Sequence, residues 1–256
     1  MRIMVFTSYV ALGDSFTEGV GDPDPARPNG LRGWADRVAD VLAGQAPGFR
    51  YANLAIRGRK LPQIIAEQVP AAVTLDAALV SIHGGGNDVL RPSVDVDALA
   101  SSYDDAIGRL AANGAQVVMF TLPDTRSNQA FKMVRGRCAL FNEFIREIAD
   151  RHGAVIVDIW RDHDYDRHHF LDKDRLHYSP AGHQMMAMRV LDALGVTHQL
   201  SAYPITARPP LTARERRAEH LEWTRSFLVP WIGRRLTGRS SGDGINPKYA
   251  DLTSLR

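Results

Sequence analysis

Tyr9-Val10-Ala11-Leu12-Gly13-Asp14-Ser15 decides the fold of this chain: a short apolar run leads straight into a Gly-Asp-Ser turn. Short apolar runs bounded by turn residues read as strands, so Tyr9–Leu12 is the first strand and Ser15 sits just past its end. Downstream the pattern repeats. A polar loop from Gly13 to Asn29 precedes a helical stripe at Trp34, Val38, Val41 and Leu42. Tyr51–Ala55 reads as a second strand, Leu61–Val73 as a helix and Ala77–His83 as a third strand, apolar enough to be covered on both faces. Val96–Asn113 is a helix stopped at Asn113-Gly114, Gln116–Leu122 a strand stopped by Pro123, and Gly136–His152 an amphipathic helix. Ala154–Ile159 is the fifth strand. Ser179-Pro180 opens the last core helix, with serine as N-cap and proline in the first turn.

Strands alternating with helices form βαβ units. No Gly-x-Gly-x-x-Gly fingerprint is present, so the expected architecture is a flavodoxin-like three-layer α/β/α sandwich on a five-stranded parallel sheet. Ligands in such sheets bind at the carboxyl ends of the strands. Ser15, Gly58 and Asn87 follow strands one, two and three, and so open on one edge.

Those loops carry the residues of a serine mechanism. A serine hydroxyl becomes nucleophilic only when a base takes its proton, and the base needs an orienting group. Asp174-Arg175-Leu176-His177 offers carboxylate and imidazole together. Ser15 is then the nucleophile, His177 the general base and Asp174 its orienting carboxylate. The backbone N–H groups of Ser15 and Gly58 and the Asn87 amide are candidate donors for an oxyanion. Asn53 and Asp88 read as loop-fixing residues; Arg57, Pro123, Asp124 and Thr125 are candidates to shape the pocket. Gly13-Asp14-Ser15-Phe16-Thr17 lacks the second glycine of a Gly-x-Ser-x-Gly elbow.

The blocks around Ser15, Gly58, Asn87 and Asp174–His177 together resemble the SGNH subgroup of the GDSL hydrolases, a family of esterases and lipases. The resemblance runs over about residues 8 to 195. Phe16 departs from it, standing where the family name has leucine. It implies a carboxylic ester hydrolase in which the histidine takes the serine proton and the aspartate steadies it, through an acyl-enzyme and without cofactor or metal. The expected substrate is a small-molecule ester. Alternatives sharing the machinery are a carbohydrate O-deacetylase and a lysophospholipase; alternatives of other classes are a non-catalytic binding module and a metal-dependent phosphoesterase.

Composition fits a soluble globular protein: 256 residues, 45% hydrophobic and 23% charged. One cysteine, Cys138, excludes an internal disulfide and reads as a buried thiol. Other histidines are rivals for the base, among them His83, which ends a strand and reads as a core residue. The run Asp162–His169 has the residue types of a metal site but no regular ligand spacing, and reads as a polar loop. Met1–Val10 lacks the build of a signal peptide, and no apolar run reaches the ~20 residues of a membrane span. A cytoplasmic protein without a nucleic-acid partner is expected.

Residues 1–200 form the expected hydrolase domain, and 201–256 an extension that is not an independent domain. Residues 207–256 hold ten Lys/Arg against five Asp/Glu, a net +5 in a chain of net +2. Thr212–Phe227 reads as a helix with a Thr212/Glu215 capping box, packed on the core and followed by an extended arm. A homo-oligomeric contact and a membrane-surface contact are its alternatives. Gly233–Gly244, rich in Gly, Ser and Arg, is expected to be mobile, at least at its middle. With no long apolar lid between the catalytic blocks, short acyl esters are the expected substrates, unless Leu221, Phe227 and Trp231 wall the site.

Overall fold

Alternation along the strands splits the core in two. Tyr9 and Ala11 face one hydrophobic cluster while Val10 and Leu12 face the other; Val118 and Phe120 alternate in the same way with Val117 and Met119. A strand so divided must be covered on both faces, and β1 is buried along its whole length. The computed structural model describes residues 5–126, 131–162, 167–204 and 211–255.

The described chain runs β1 (Ser8–Leu12), α1 (Ser15–Glu18), α2 (Gly33–Ala43), β2 (Arg50–Asn53), α3 (Leu61–Leu75), β3 (Leu79–Ile82), α4 (Gly86–Val89) and α5 (Val96–Ala112). It continues with β4 (Gln116–Phe120), α6 (Arg135–His152), β5 (Val155–Val157), α7 (Arg167–Phe170), α8 (Pro180–Ala193), α9 (Ala213–Trp223), α10 (Val229–Leu236) and β6 (Tyr249–Thr253). One face of the sheet packs on α3, α5 and α6, and the other on α2 and α8. That is the expected three-layer sandwich.

Strand order is β5-β4-β3-β1-β2-β6. The first five strands are mutually parallel and β6 runs antiparallel to β2. The expected sheet of five strands is therefore corrected to six. Tyr249–Thr253 lies on the rim with only partial burial, so its sequence shows no continuous apolar run. An edge strand is recognised by its hydrogen-bond partner rather than by its hydrophobicity. Strand order reverses at β1, between β2 on one side and β3 on the other, and such a switch point opens a crevice at the carboxyl edge.

Polar groups inside this sheet are paired. The Tyr9 hydroxyl and Ser81 Oγ lie 2.7 Å apart, and the Tyr51 hydroxyl donates to Asp36 Oδ1 at 2.9 Å. Asn142 clamps the end of β4, accepting from Leu122 N at 2.7 Å and donating to Leu122 O at 2.9 Å. Cys138 is a buried free thiol, and burial pushes its pKa up to about 11. No described helix is long and apolar enough to cross a membrane.

The C-terminal helix begins as its sequence predicts, with Thr212 Oγ1 accepting from Glu215 N and Glu215 accepting from Thr212 N. It leaves the α conformation at Trp223, and Thr224–Leu228 forms a π turn before α10. At the end of Gly233–Gly244, Ser240 lies beside Gly58 and Gly242 is buried against Arg57 O.

Candidate active site

Ser15 opens α1 directly beyond β1. Asp14 caps that short helix, its Oδ1 accepting from Phe16 N at 3.1 Å. Behind the turn, Gln68 on α3 accepts from Gly13 N at 2.8 Å and donates to Gly13 O at 2.9 Å. The backbone leading into Ser15 is thus held on both sides by one buried amide.

The loops that carry Gly58 and Asn87 are tied to this turn through the neighbours of Ser15. Asn87 Nδ2 donates to Asp14 Oδ2 at 3.1 Å and to Arg59 O at 3.0 Å. Both partners are acceptors, so the amide orientation is settled, and both amide hydrogens are engaged. Gly58, at φ +77°, follows Arg57, and Arg57 is fastened to Glu18 of α1. Arg57 N donates to Glu18 Oε2 at 2.7 Å, and its guanidinium reaches the same carboxylate at 2.6 Å. The Glu18 side chain is fully buried. One charged pair thereby joins the helix that starts at Ser15 to the loop that carries Gly58.

The loop that carries Asp174 and His177 precedes α8. His177 Nδ1 lies 2.5 Å from Asp174 Oδ2, while Asp174 Oδ1 accepts from the backbone N–H of Leu176 and His177, each at 2.9 Å. Burial raises the Asp174 carboxyl, but the His177 imidazole and these two donors outweigh it and hold it below its ordinary value. In a neutral imidazole, a carboxylate accepting from Nδ1–H leaves Nε2 as the proton acceptor, the form a general base needs. Tyr178, the next residue, packs its ring 5.5 Å from that of Phe16. Phe16 also contacts Trp34, His83 and Phe120, which explains an aromatic ring beside the nucleophile: it fills the junction of four elements.

Each predicted residue accordingly falls on the carboxyl edge. Asp174 and His177 touch each other, Asn87 touches the cap of Ser15, and Gly58 is linked to α1 by Glu18–Arg57. Asn53 and Asp88 have the loop-fixing roles expected of them. Asn53 Nδ2 donates to Thr17 O at 3.2 Å, and Asp88 Oδ2 accepts from Leu61 N at the start of α3 at 2.9 Å. Asp124 holds Arg135 at 2.7 Å.

Three of the rival histidines are engaged elsewhere. His183 is buried, with Nδ1 accepting from Trp34 N at 3.2 Å and Nε2 facing Val20 O at 3.1 Å. His152 pairs with Asp104 and His198 with Asp192. His83 Nδ1 has no hydrogen-bond partner and lies 3.6 Å from Asp14 Oδ1. His83 is a buried residue, as expected, packed on the Phe16 ring. Residues 163–166 of the Asp162–His169 run lie outside the described residues, among which no group of three or more His, Cys, Asp or Glu side chains could hold a metal.

Sequence reading missed several supports. Glu18 and Gln68 are buried polar residues; helical periodicity puts Gln68 on the face of Ile64, Ile65 and Val69 but does not name its partner. Trp223 of α9 donates from Nε1 to Asp174 O at 2.8 Å, and Arg175, at φ +59°, lies over its ring and 3.6 Å from Glu219. Ser240 fills the space a side chain would take at Gly58. Only their partners, distant in sequence, reveal these roles.

A family model for GDSL-like lipases and acylhydrolases matches residues 11–185. A search of curated proteins gives no match. Among solved structures, LAE5, an alpha/beta hydrolase enzyme from the metagenome of Lake Arreo, Spain, is 22% identical with a TM-score of 0.63, over 75% of this chain and 97% of its own. A catalytic mutant of Axe2, an acetylxylan esterase from Geobacillus stearothermophilus, is 20% identical with a TM-score of 0.63, over 77% and 98% of the two chains. TesA is 21% identical with a TM-score of 0.56, over 73% and 97%. At such identities these likenesses speak for the fold alone, but the family model spans more than half of the chain, from the strand before Ser15 to the helix after His177. The chain belongs to the GDSL-like lipase/acylhydrolase family.

Proposed function

We propose that the protein is a serine esterase acting through Ser15, His177 and Asp174, with short acyl esters as substrates. The observation that carries this reading is the 2.5 Å contact between Asp174 and His177 Nδ1, on a loop whose Tyr178 packs against the neighbour of Ser15. His177 Nε2 takes the Ser15 proton as the hydroxyl oxygen attacks the ester carbonyl. The backbone N–H groups of Ser15 and Gly58 and the Asn87 amide receive the developing oxyanion. Asn87 exchanges one of its two present acceptors for the oxyanion; Asp14 and Arg59 O hold it ready until then. The protonated His177 gives its proton to the departing alcohol, and a water molecule activated by the same Nε2 then hydrolyses the acyl-enzyme.

Support for short acyl groups comes from the surroundings. Leu221 and Phe227 are exposed, and Trp231 packs against Phe131 with ring centroids 5.9 Å apart. An acyl chain gains about 0.8 kcal/mol for each methylene it buries, so an open site offers little to a long one. The Axe2 relative, an acetylxylan esterase by description, is in keeping with a small acyl group. The test is hydrolysis of nitrophenyl esters from acetyl to hexadecanoyl by the full-length chain. Catalytic efficiency should peak at or below about hexanoyl, and Ser15→Ala and His177→Ala should each lower kcat by three orders of magnitude or more. Near-normal turnover by Ser15→Ala would remove the serine mechanism, and a rise in efficiency toward long chains would remove the open-site reading.

A further inference from the structure

We propose that the C-terminal extension braces both halves of the active site and sets the rate of the chemical step, although it lies wholly outside the segment matched by the family model. The inference rests on the site assigned above. Two separate contacts carry it, one on the acid–base loop and one on the oxyanion loop.

The first contact is made by α9. Trp223 is buried, and its indole Nε1–H donates to Asp174 O at 2.8 Å. Arg175, the next residue, stands in a left-handed backbone conformation at φ +59° that non-glycine residues adopt only under constraint. Its guanidinium lies 5.3 Å from the centre of the Trp223 ring and 3.6 Å from Glu219, one turn earlier on α9. Helix α9 therefore holds the loop between Asp174 and His177 in the turn that brings the two side chains together.

The second contact is made by residues 240–248. The Ser240 hydroxyl fills the space beside Gly58, and Gly242 packs so tightly on Arg57 O that a methyl group there would overlap the carbonyl oxygen. Farther along, Asn29 Nδ2 bridges Asn246 O at 3.0 Å and Glu18 Oε1 at 3.3 Å. Glu18 is the carboxylate that holds Arg57. Lys248 then anchors the segment, its ammonium group fully buried and donating to Asp36 at 2.9 Å, Arg32 O at 2.7 Å and Leu31 O at 3.3 Å. Pressed between Glu18 and this strap, the Arg57–Gly58 peptide has little freedom. An oxyanion donor acts through its preorganisation, so a loose Gly58 N–H would bind substrate nearly as well but stabilise the transition state less.

The experiment uses the full-length chain with 4-nitrophenyl acetate, each variant counted by active-site titration with a fluorophosphonate. Trp223→Phe keeps a ring against Arg175 and removes the donor to Asp174 O. Gly242→Ala pushes on Arg57 O; Asn29→Gly keeps the left-handed backbone of Asn29 (φ +57°) and removes its bridge. The expected result is a kcat per titrated site at least fivefold lower at each contact, with KM within twofold. For Gly242→Ala and Asn29→Gly, Ki for phenylboronic acid, which forms a tetrahedral adduct, should rise in parallel. A merely structural role would lower the titrated fraction and leave Ki unchanged. The brace is overturned if Trp223→Phe, or the Asn29 and Gly242 variants together, turn over like the parent chain per titrated site; if Gly242→Ala fails to fold, Asn29→Gly decides. No Ser15-dependent hydrolysis in the unaltered chain would remove the site assignment itself, and the brace with it.

Discussion

The Asn87 amide is engaged with Asp14 and Arg59 O, and in the proposed mechanism it exchanges one of these acceptors for the oxyanion. Removing one oxyanion donor costs on the order of a hundredfold or more in kcat, and Asn87→Ala should show a loss of that size with KM little changed; turnover within threefold of the parent would exclude Asn87 as a donor. His183 makes a different demand, because its Nδ1 accepts from a backbone N–H and the ring is therefore neutral. Burial, foremost, holds its pKa down to about 4 from 6.5. The unfolded chain takes up this proton first, so the stability is whole above pH 6.5 and falls as pH drops toward 4. That loss amounts to about 3 kcal/mol at most. Urea unfolding at pH 7 and 4.5 should show it, and His183→Gln should flatten the slope; an unchanged slope would assign the acid sensitivity to other groups. Asp174, with its pKa lowered, contributes in the same sense but at lower pH: its share of stability is present above the ordinary carboxylate value and fades only in acid below it.

At the scale of elements, the catalytic edge is assembled by contacts between loops and the helices behind them. The element ends were largely legible, since caps and breakers act within a few residues. Ser179 caps α8, Asp95 caps α5, and Gly153 closes α6 in the left-handed conformation. The hold of α3 on the nucleophile turn was not legible, because Gln68 meets Gly13 across 55 residues. Gln68→Leu would leave the buried N–H of Gly13 without a partner, while Gly13 O still accepts from Ile56 N; the cost is about 1–3 kcal/mol. Denaturant unfolding should show that loss and nitrophenyl acetate hydrolysis a fall in kcat; if stability drops while kcat per folded molecule stays the same, the clamp supports the fold and not the site.

Across the whole molecule, the basic surplus of the last fifty residues reads differently once folded. Lys248 is not a solvated charge but a fully buried partner of Asp36, and burial lowers its pKa against the pull of that carboxylate. Burial likewise raises Asp36, against Lys248. Breaking such a pair on one side leaves an uncompensated charge in the core and costs about 3–5 kcal/mol. Lys248→Met should therefore destabilise strongly, and adding Asp36→Asn should recover much of the loss. A double variant no more stable than the single one would show that the strap, and not the charge, is what Lys248 supplies.

Tyr9–Leu12 running into Gly13-Asp14-Ser15, the apolar third strand and the Asp174–His177 spacing by themselves determined the parallel sheet, the edge on which the candidate site opens and the pairing of Asp174 with His177. Strand burial and serine chemistry both leave short-range patterns, readable over a few residues. Tertiary structure alone decided the sixth strand, the Glu18–Arg57 tie, the Gln68 clamp and the path of residues 240–248 across the Gly58 loop. These are pairings of polar groups far apart in the chain. A buried carboxylate or ammonium is tolerated only where its partner stands, and the partner's place is a property of the fold.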